Sequence, residues 1–236
     1  MRSLIAVLAL STVAIAPLAA QVPITPDEIN AACQSGDYPE CVHYAGLLID
    51  GRGVSRSLDE GIRLLTATCD NGYAPACTQF GRLNQSGVVI NPNKERAVAY
   101  FRRGCEGGDS EGCLQLAMAF EHGVGVIQSG STAAAYYRQA CALGLQPSCV
   151  KLGTLFQNGQ GISTNRGQAA ALYLQACDQG DANGCVLLGN MYENGNGVPH
   201  DTERAEALYR RACEVGNVQA CRVPLLDNGG RSFVNP

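Results

Sequence analysis

The chain has 236 residues, 46% of them hydrophobic and 16% charged, so it is long enough to bury a sizeable core and is no small disulfide knot despite its 12 cysteines. Its 17 Lys and Arg against 21 Asp and Glu give a formal charge of −4. That balance supplies no basic field to hold nucleic-acid phosphates or an anionic membrane, and nucleic acid is not expected as a partner.

Residues 1–20 read as a secretory signal peptide. Met1 and Arg2 form a basic start, Leu4 to Ala16 a nearly unbroken apolar run, and Pro17 to Ala20 a small-residue end, with cleavage expected between Ala20 and Gln21. An uncleaved anchor is the alternative, but Ser11 and Thr12 interrupt a run shorter than the ~20 apolar residues of a spanning helix. No other segment has the length or apolarity to span a bilayer. The expected product is periplasmic or secreted, without a membrane span.

The cysteines then set the organisation. Cys33, Cys69, Cys105, Cys141, Cys177 and Cys213 recur at a step of 36, and so do Cys41, Cys77, Cys113, Cys149, Cys185 and Cys221. A period kept this strictly means stacked supersecondary units, each unable to bury its apolar face alone. The units expected are a half repeat at 21–40, five full repeats at 41–76, 77–112, 113–148, 149–184 and 185–220, and a partial repeat with the tail at 221–236.

Counting from the second cysteine, apolar or small residues fall at +3, +4 and +7, as in Cys113, Leu116, Ala117 and Phe120. This is the stripe of an amphipathic helix, helix A, which the second cysteine begins. It ends at Gly-x-Gly, as in Gly51-Arg52-Gly53 and Gly195-Asn196-Gly197, with Val89 in place of the second glycine in one repeat. Helix B opens at +16 on Ser57, Asn93, Ser129, Asn165 or Asp201, all N-cap residues, and Ser57 with Glu60 and Asn165 with Gln168 resemble capping boxes. It ends before Gly72, Gly108, Gly144, Gly180 and Gly216, while small residues at +4 and +27 allow the helices to approach closely. Pro224 argues that the final helix A is shortened or broken.

Each Cys-x7-Cys pair therefore spans a turn from helix B to the next helix A. Six local bridges follow: Cys33–Cys41, Cys69–Cys77, Cys105–Cys113, Cys141–Cys149, Cys177–Cys185 and Cys213–Cys221. No metal site is expected, because His43, His122 and His200 sit at unrelated repeat positions. Redox catalysis lacks a Cys-x-x-Cys motif. No cofactor is expected, and a dinucleotide-binding fingerprint is rejected because no strand precedes the glycines.

Gly195-x-Gly197-Val198, Asp201, Arg204-Ala205, Tyr209, Ala212-Cys213 and Gly216 resemble the Sel-one-like repeat, a relative of the tetratricopeptide repeat. The resemblance covers nearly all of the chain beyond residue 20. The bridged 36-residue version is similar to the Helicobacter cysteine-rich protein family, also described as the beta-lactamase-like subgroup, and to a disulfide-bridged mitochondrial cytochrome c oxidase assembly factor. Departures from the repeat are Val89 for Gly, Gly61 for Ala, and Leu65 or Phe101 for Tyr. The resemblance implies an all-α, right-handed α/α solenoid of helix-turn-helix repeats that works as a monomeric scaffold for a protein or peptide partner. It also implies, as the alternative, weak penicillin binding or beta-lactam hydrolysis.

For the scaffold, a recognition surface lies where equivalent helix A positions differ, at +1, +2, +5, +8 and +9. The candidates are His43, Gln79, Arg82, Gln115, Glu121, His122, Lys151, Gln157, Asn190 and Glu193, a mixed polar groove on the concave face for an extended peptide. For the enzyme, Ser148-Cys149-Val150-Lys151 reads as S-x-x-K, with Ser148 as nucleophile and Lys151 as base, but the companion S-D-N and K-T-G elements are absent. Ser148 also stands where Ala76, Gly112, Gly184 and Ala220 stand in other repeats, so a packing role explains it equally well. A third expectation is a structural envelope factor that depends on oxidation and has no single partner.

Overall fold

The computed structural model describes residues 25–87, 90–222, 225–227 and 230–232; the signal peptide expected at 1–20, Val89 and Pro224 lie outside them. After α1 (Pro26–Gln34) come five helix pairs, each helix 13 residues long. They are α2 (Tyr38–Asp50) with α3 (Leu58–Asp70), α4 (Ala74–Ser86) with α5 (Lys94–Glu106), α6 (Ser110–His122) with α7 (Gly130–Ala142), α8 (Gln146–Asn158) with α9 (Arg166–Asp178), and α10 (Ala182–Asn194) with α11 (Thr202–Glu214). The even-numbered helices are helices A and the odd-numbered ones helices B. Every helix packs on its chain neighbours, and on the helix A side α2 also touches α4 and α4 touches α6. The all-α solenoid is as expected.

The starts and stops follow local chemistry. Asn93, Ser129, Asn165 and Asp201 accept backbone N–H bonds at the start of helix B, satisfying donors that the helix itself leaves orphaned. Ser57 occupies the same place without a side-chain bond, so the capping box expected with Glu60 does not form. Asn165 donates from its side chain to Gln168 Oε1, which leaves that pair short of a capping box as well. The full box forms at Thr25 and Glu28 ahead of α1. Helix A starts three residues before the second cysteine: Asp37, Asp109 and Asp181 cap it, and where the cap is Tyr73 or Leu145 a proline stands in the first turn instead.

Glycine closes each helix A in the left-handed conformation, with φ from 61° at Gly195 to 72° at Gly51. The second glycine of Gly-x-Gly has a further duty. Gly161, at φ 74°, lies so close to the start of α7 that a Cβ would come within 2.5 Å of Gly130 Cα. The loop of one repeat thus rests directly on the preceding helix B.

One row of the core is made of single large side chains from helices B, each laid over a small residue of its own helix A, and helix A side chains such as Phe80, Leu116, Leu152, Leu155 and Met191 are buried with it. Leu65, Phe101, Tyr137, Tyr173 and Tyr209 are all buried. Opposite them stand Ala45, Gly81, Ala117, Gly153 and Gly189, and a Cβ on Gly153 would lie 2.6 Å from the Tyr173 ring. The departure at Gly61 has a packing reason too, since a Cβ there would meet Ile49 Cγ1 at 2.7 Å.

All six expected bridges form, with Cα–Cα separations of 4.4–4.8 Å, and they join the last turn of each helix B to the first turn of the next helix A. Side-chain clamps reinforce the same seam. Arg103 donates to Asp70 Oδ1 at 2.9 Å and to the Cys69 carbonyl, and Arg211 donates to Asp178 Oδ1 at 2.8 Å and to its carbonyl. Both place a cation on the carbonyl end of the preceding helix B, where the helix dipole favours it. After α11 the final helix A shrinks to a 3-10 turn, Ala220–Arg222. An antiparallel hairpin follows, β1 (Leu225–Asp227) with β2 (Gly230–Ser232), an addition to the all-helical expectation.

Candidate interaction face

The variable helix A positions fall into three chemical groups. At +1, Val42, Leu114, Val150 and Val186 are half-buried and Thr78 is buried, so this column turns into the stack and leaves the expected groove. At +2, His43, Gln79 and Lys151 are exposed, His43 paired with Glu40 at 3.2 Å. Gln115 is half-buried and donates to Glu111 Oε1 at 2.8 Å. The +5 residue Arg82 forms an ion pair with the same Glu111, which ties α4 to α6. Arg82 and Gln115 therefore brace neighbouring helices A.

The +8 residues are held by the tyrosines of helix B. The Tyr137 hydroxyl donates to Glu121, and the Tyr173 hydroxyl donates to Gln157 Oε1 at 2.8 Å with Thr154 Oγ1 at 3.1 Å. The Tyr209 hydroxyl lies 2.7 Å from Asn190 Oδ1 and 2.8 Å from Glu193 Oε2. Burial pushes the Tyr137 and Tyr209 phenols above their ordinary range, and the hydrogen-bonded carboxylates of Glu121 and Glu193 add to it. Where the ring position is Leu65 or Phe101 there is no hydroxyl, and +8 is Ile49 or the exposed Gln85. Glu121, Gln157 and Glu193 are thus fixed in place from below while their outer sides remain accessible.

The +15 position carries caps. Arg56 Nε donates to the Ile49 carbonyl at 3.0 Å, Gln128 Nε2 to that of Glu121 at 2.8 Å, and His200 Nδ1 lies 2.7 Å from that of Glu193. His200 accordingly serves the end of α10.

Among the described residues, two concavities lie along this face and a third opens beside helix B. One of about 500 Å³ lies between the third and fourth repeats, against Glu121, His122, Gln128, Gly130, Leu155 and Gln160. A second of about 160 Å³ is mainly apolar and is bounded by Val42, Gly46, Ile49, Leu65, Gln79 and Leu83. The third, of about 300 Å³, opens between α1, α2 and α3 beside Tyr44, Glu60 and Arg63.

Ser148 and Lys151 are not brought together. Ser148 is 0% exposed and its hydroxyl has no hydrogen-bond partner, whereas Lys151 stands exposed. The equivalent Gly184 shows what this position touches: a Cβ there would lie 2.8 Å from Ala176 Cβ and 2.9 Å from the Cys177 nitrogen of the preceding helix B. Ser148 fills the same seam.

The model of the Sel1 repeat matches residues 39–73, 74–109, 110–145, 146–181 and 182–217. The chain belongs to the Sel1 repeat family. A protective antigen of uropathogenic Escherichia coli strains that displays this repeat fold is 26% identical, with a TM-score of 0.75 over 83% of this chain. The alignment takes in 42% of that antigen, so this chain spans about two-fifths of its length. A Sel1 repeat protein from Oxalobacter formigenes is 22% identical at a TM-score of 0.70, covering 85% of this chain and 77% of its own. The cysteine-rich protein B of Helicobacter pylori is 27% identical over 58% of this chain and 98% of its own, at a TM-score of 0.44. No curated protein matches the sequence significantly. In this Sel1 chain all twelve cysteines are bridged, which suits an oxidising compartment. Among the described residues no helix is long and apolar enough to cross a membrane.

Proposed function

We propose that this chain is an exported Sel1 repeat scaffold that binds an extended segment of a protein partner along the helix A face, outside the cytoplasm and as a monomer. The observation that carries the reading is a division of labour within helix A. Positions that repeat from unit to unit are buried, whereas His43, Gln79, His122, Lys151, Asn190 and Glu193 differ between units and are exposed. Packing accounts for the first set, and recognition is the remaining use for the second.

Photo-crosslinking tests it. A crosslinking amino acid placed at Gln79, Lys151 or Asn190 is expected to capture one protein from the source envelope fraction, and the same amino acid at the exposed helix B residues Arg102 or Arg210 is expected to capture none. Equal capture from both sides would overturn the reading.

Nothing in the geometry around Ser148 favours acylation, because a nucleophile must reach its substrate and this hydroxyl is enclosed. Ser148→Ala is expected to leave folding intact and raise stability by up to about 1 kcal/mol, since it removes a buried hydroxyl without a partner. A fluorescent penicillin is expected to label neither form. Labelling that disappears in the variant would move the function to beta-lactam chemistry.

A further inference from the structure

The cleft between the third and fourth repeats lies where helix B starts on a glycine. The first residue of helix B is Leu58, Lys94, Arg166 or Thr202 in the other full repeats and Gly130 in the third. The absence of a Cβ there lets the Gln160-Gly161 backbone of the next repeat settle against the start of α7, since a Cβ on Gly130 would lie 2.4 Å from the Gln160 carbonyl oxygen. A space of about 500 Å³ lies beside this contact, between the ends of α6 and α8 and the start of α7.

Among the described residues, the walls of this space carry one carboxylate, Glu121, and no lysine or arginine side chain of fixed positive charge. His122 Nε2 stands 3.9 Å from Glu121 Oε2, too far for a hydrogen bond, and the imidazole is half exposed. The carbonyl ends of α6 and α8 add negative partial charge and the N-terminus of α7 at Gly130 adds positive partial charge, so the formal charge of Glu121 sets the sign. The Gln128 and Gln160 amides supply further acceptor oxygens, and Leu155 gives an apolar floor.

Glu121 is also prepared for a ligand. Its side chain is only 19% exposed, and Oε2 accepts a hydrogen bond from the Tyr137 hydroxyl. That bond fixes the rotamer and leaves Oε1 to accept from an incoming donor. A half-buried carboxylate held in one orientation, ringed by neutral acceptors and an apolar floor, complements a planar cation on an aliphatic stem.

We propose that this cleft is the anchor point for an arginine side chain of the partner, its guanidinium on Glu121 and its methylenes over Leu155. The assignment rests on the scaffold reading above and names the chemistry that one repeat pair selects. Tyr137 acts as a positioning residue.

The test uses the full oxidised protein, isotope-labelled and titrated with acetyl-Gly-Arg-Gly-amide and with the same peptide carrying citrulline, which keeps the shape and loses the charge. With the arginine peptide, saturable NMR shifts are expected at His122, Gly130 and Gly161, with an affinity at least about tenfold above that of the citrulline peptide. Glu121→Gln is expected to abolish that preference while leaving the fold unchanged, because Gln157 already pairs with Tyr173 in this way one repeat on. Tyr137→Phe is expected to weaken binding about three- to tenfold by freeing the carboxylate to rotate. Equal response to citrulline, undiminished binding in Glu121→Gln, or shifts scattered over unrelated surface acids would overturn the assignment. If the crosslinks from the helix A face persist while the arginine peptide fails, the cleft assignment falls and the scaffold reading stands.

Discussion

Replacing Tyr173 by alanine is expected to cost about 3–5 kcal/mol, measured as the shift in urea unfolding of the oxidised protein. The ring is fully buried and occupies the seat that Gly153 leaves in α8, so its removal opens a cavity that neither helix backbone can fill. The hydroxyl adds a smaller amount. Tyr173→Phe should lose about 1 kcal/mol, because the bond to Gln157 goes while the ring and its seat remain. The position is central in the array, with stacked repeats on both sides, so the loss acts on two interfaces instead of a fraying end. A cost below about 1 kcal/mol for the alanine variant would mean that the ring-over-glycine seat is not what holds α8 to α9.

Features that recur at a fixed offset were legible in the amino-acid sequence. The cysteine pairs, the glycine that ends each helix A and the polar residue that starts each helix B are local chemistry repeated every 36 residues, and each is found where the periodicity placed it. Ser148 was half legible: Ala76, Gly112, Gly184 and Ala220 marked its position as a seam, while S-x-x-K suggested a nucleophile. Its burial supports the seam. What local reading could not supply were pairings across repeats. Arg82 and Glu111 are 29 residues apart, and nothing in either neighbourhood announces that they meet. The polar +8 residues looked like free groove residues because their partner, a tyrosine hydroxyl 16 residues later, is visible only once helix B is folded over helix A. A signal for this was present in register, since +8 is Ile49 or an exposed Gln85 where the ring position lacks a hydroxyl. The cleft at Gly130 is likewise a difference between columns of the repeat.

Full reduction is expected to unfold the array without denaturant. Closing a nine-residue loop is worth roughly 2–3 kcal/mol in the loop-entropy model, so six such bridges amount to about 15 kcal/mol. That is as large as the whole net stability of an ordinary domain, about 5–15 kcal/mol. Small residues such as Ala76, Gly112, Ala140, Ala176 and Gly184 stand at the bridged turns, and each repeat adds only a few large buried side chains, such as Leu152, Leu155, Phe156 and Tyr173 in the fourth, whose burial alone is set against the loss of the bridges. The bridges are not equivalent. Cys213–Cys221 ties α11 to a single 3-10 turn, whereas Cys105–Cys113 joins the second repeat to the third. In an array held by nearest neighbours, losing the inner bridge weakens the coupling of everything on either side of it, and losing the terminal one lets only the end fray. Cys105→Ser with Cys113→Ser is therefore expected to lower the global unfolding midpoint or split it into two transitions, and Cys213→Ser with Cys221→Ser to leave it nearly unchanged. Helical circular dichroism retained after complete reduction would show that helix packing alone carries the fold, and the bridges would then act mainly on the kinetics of opening.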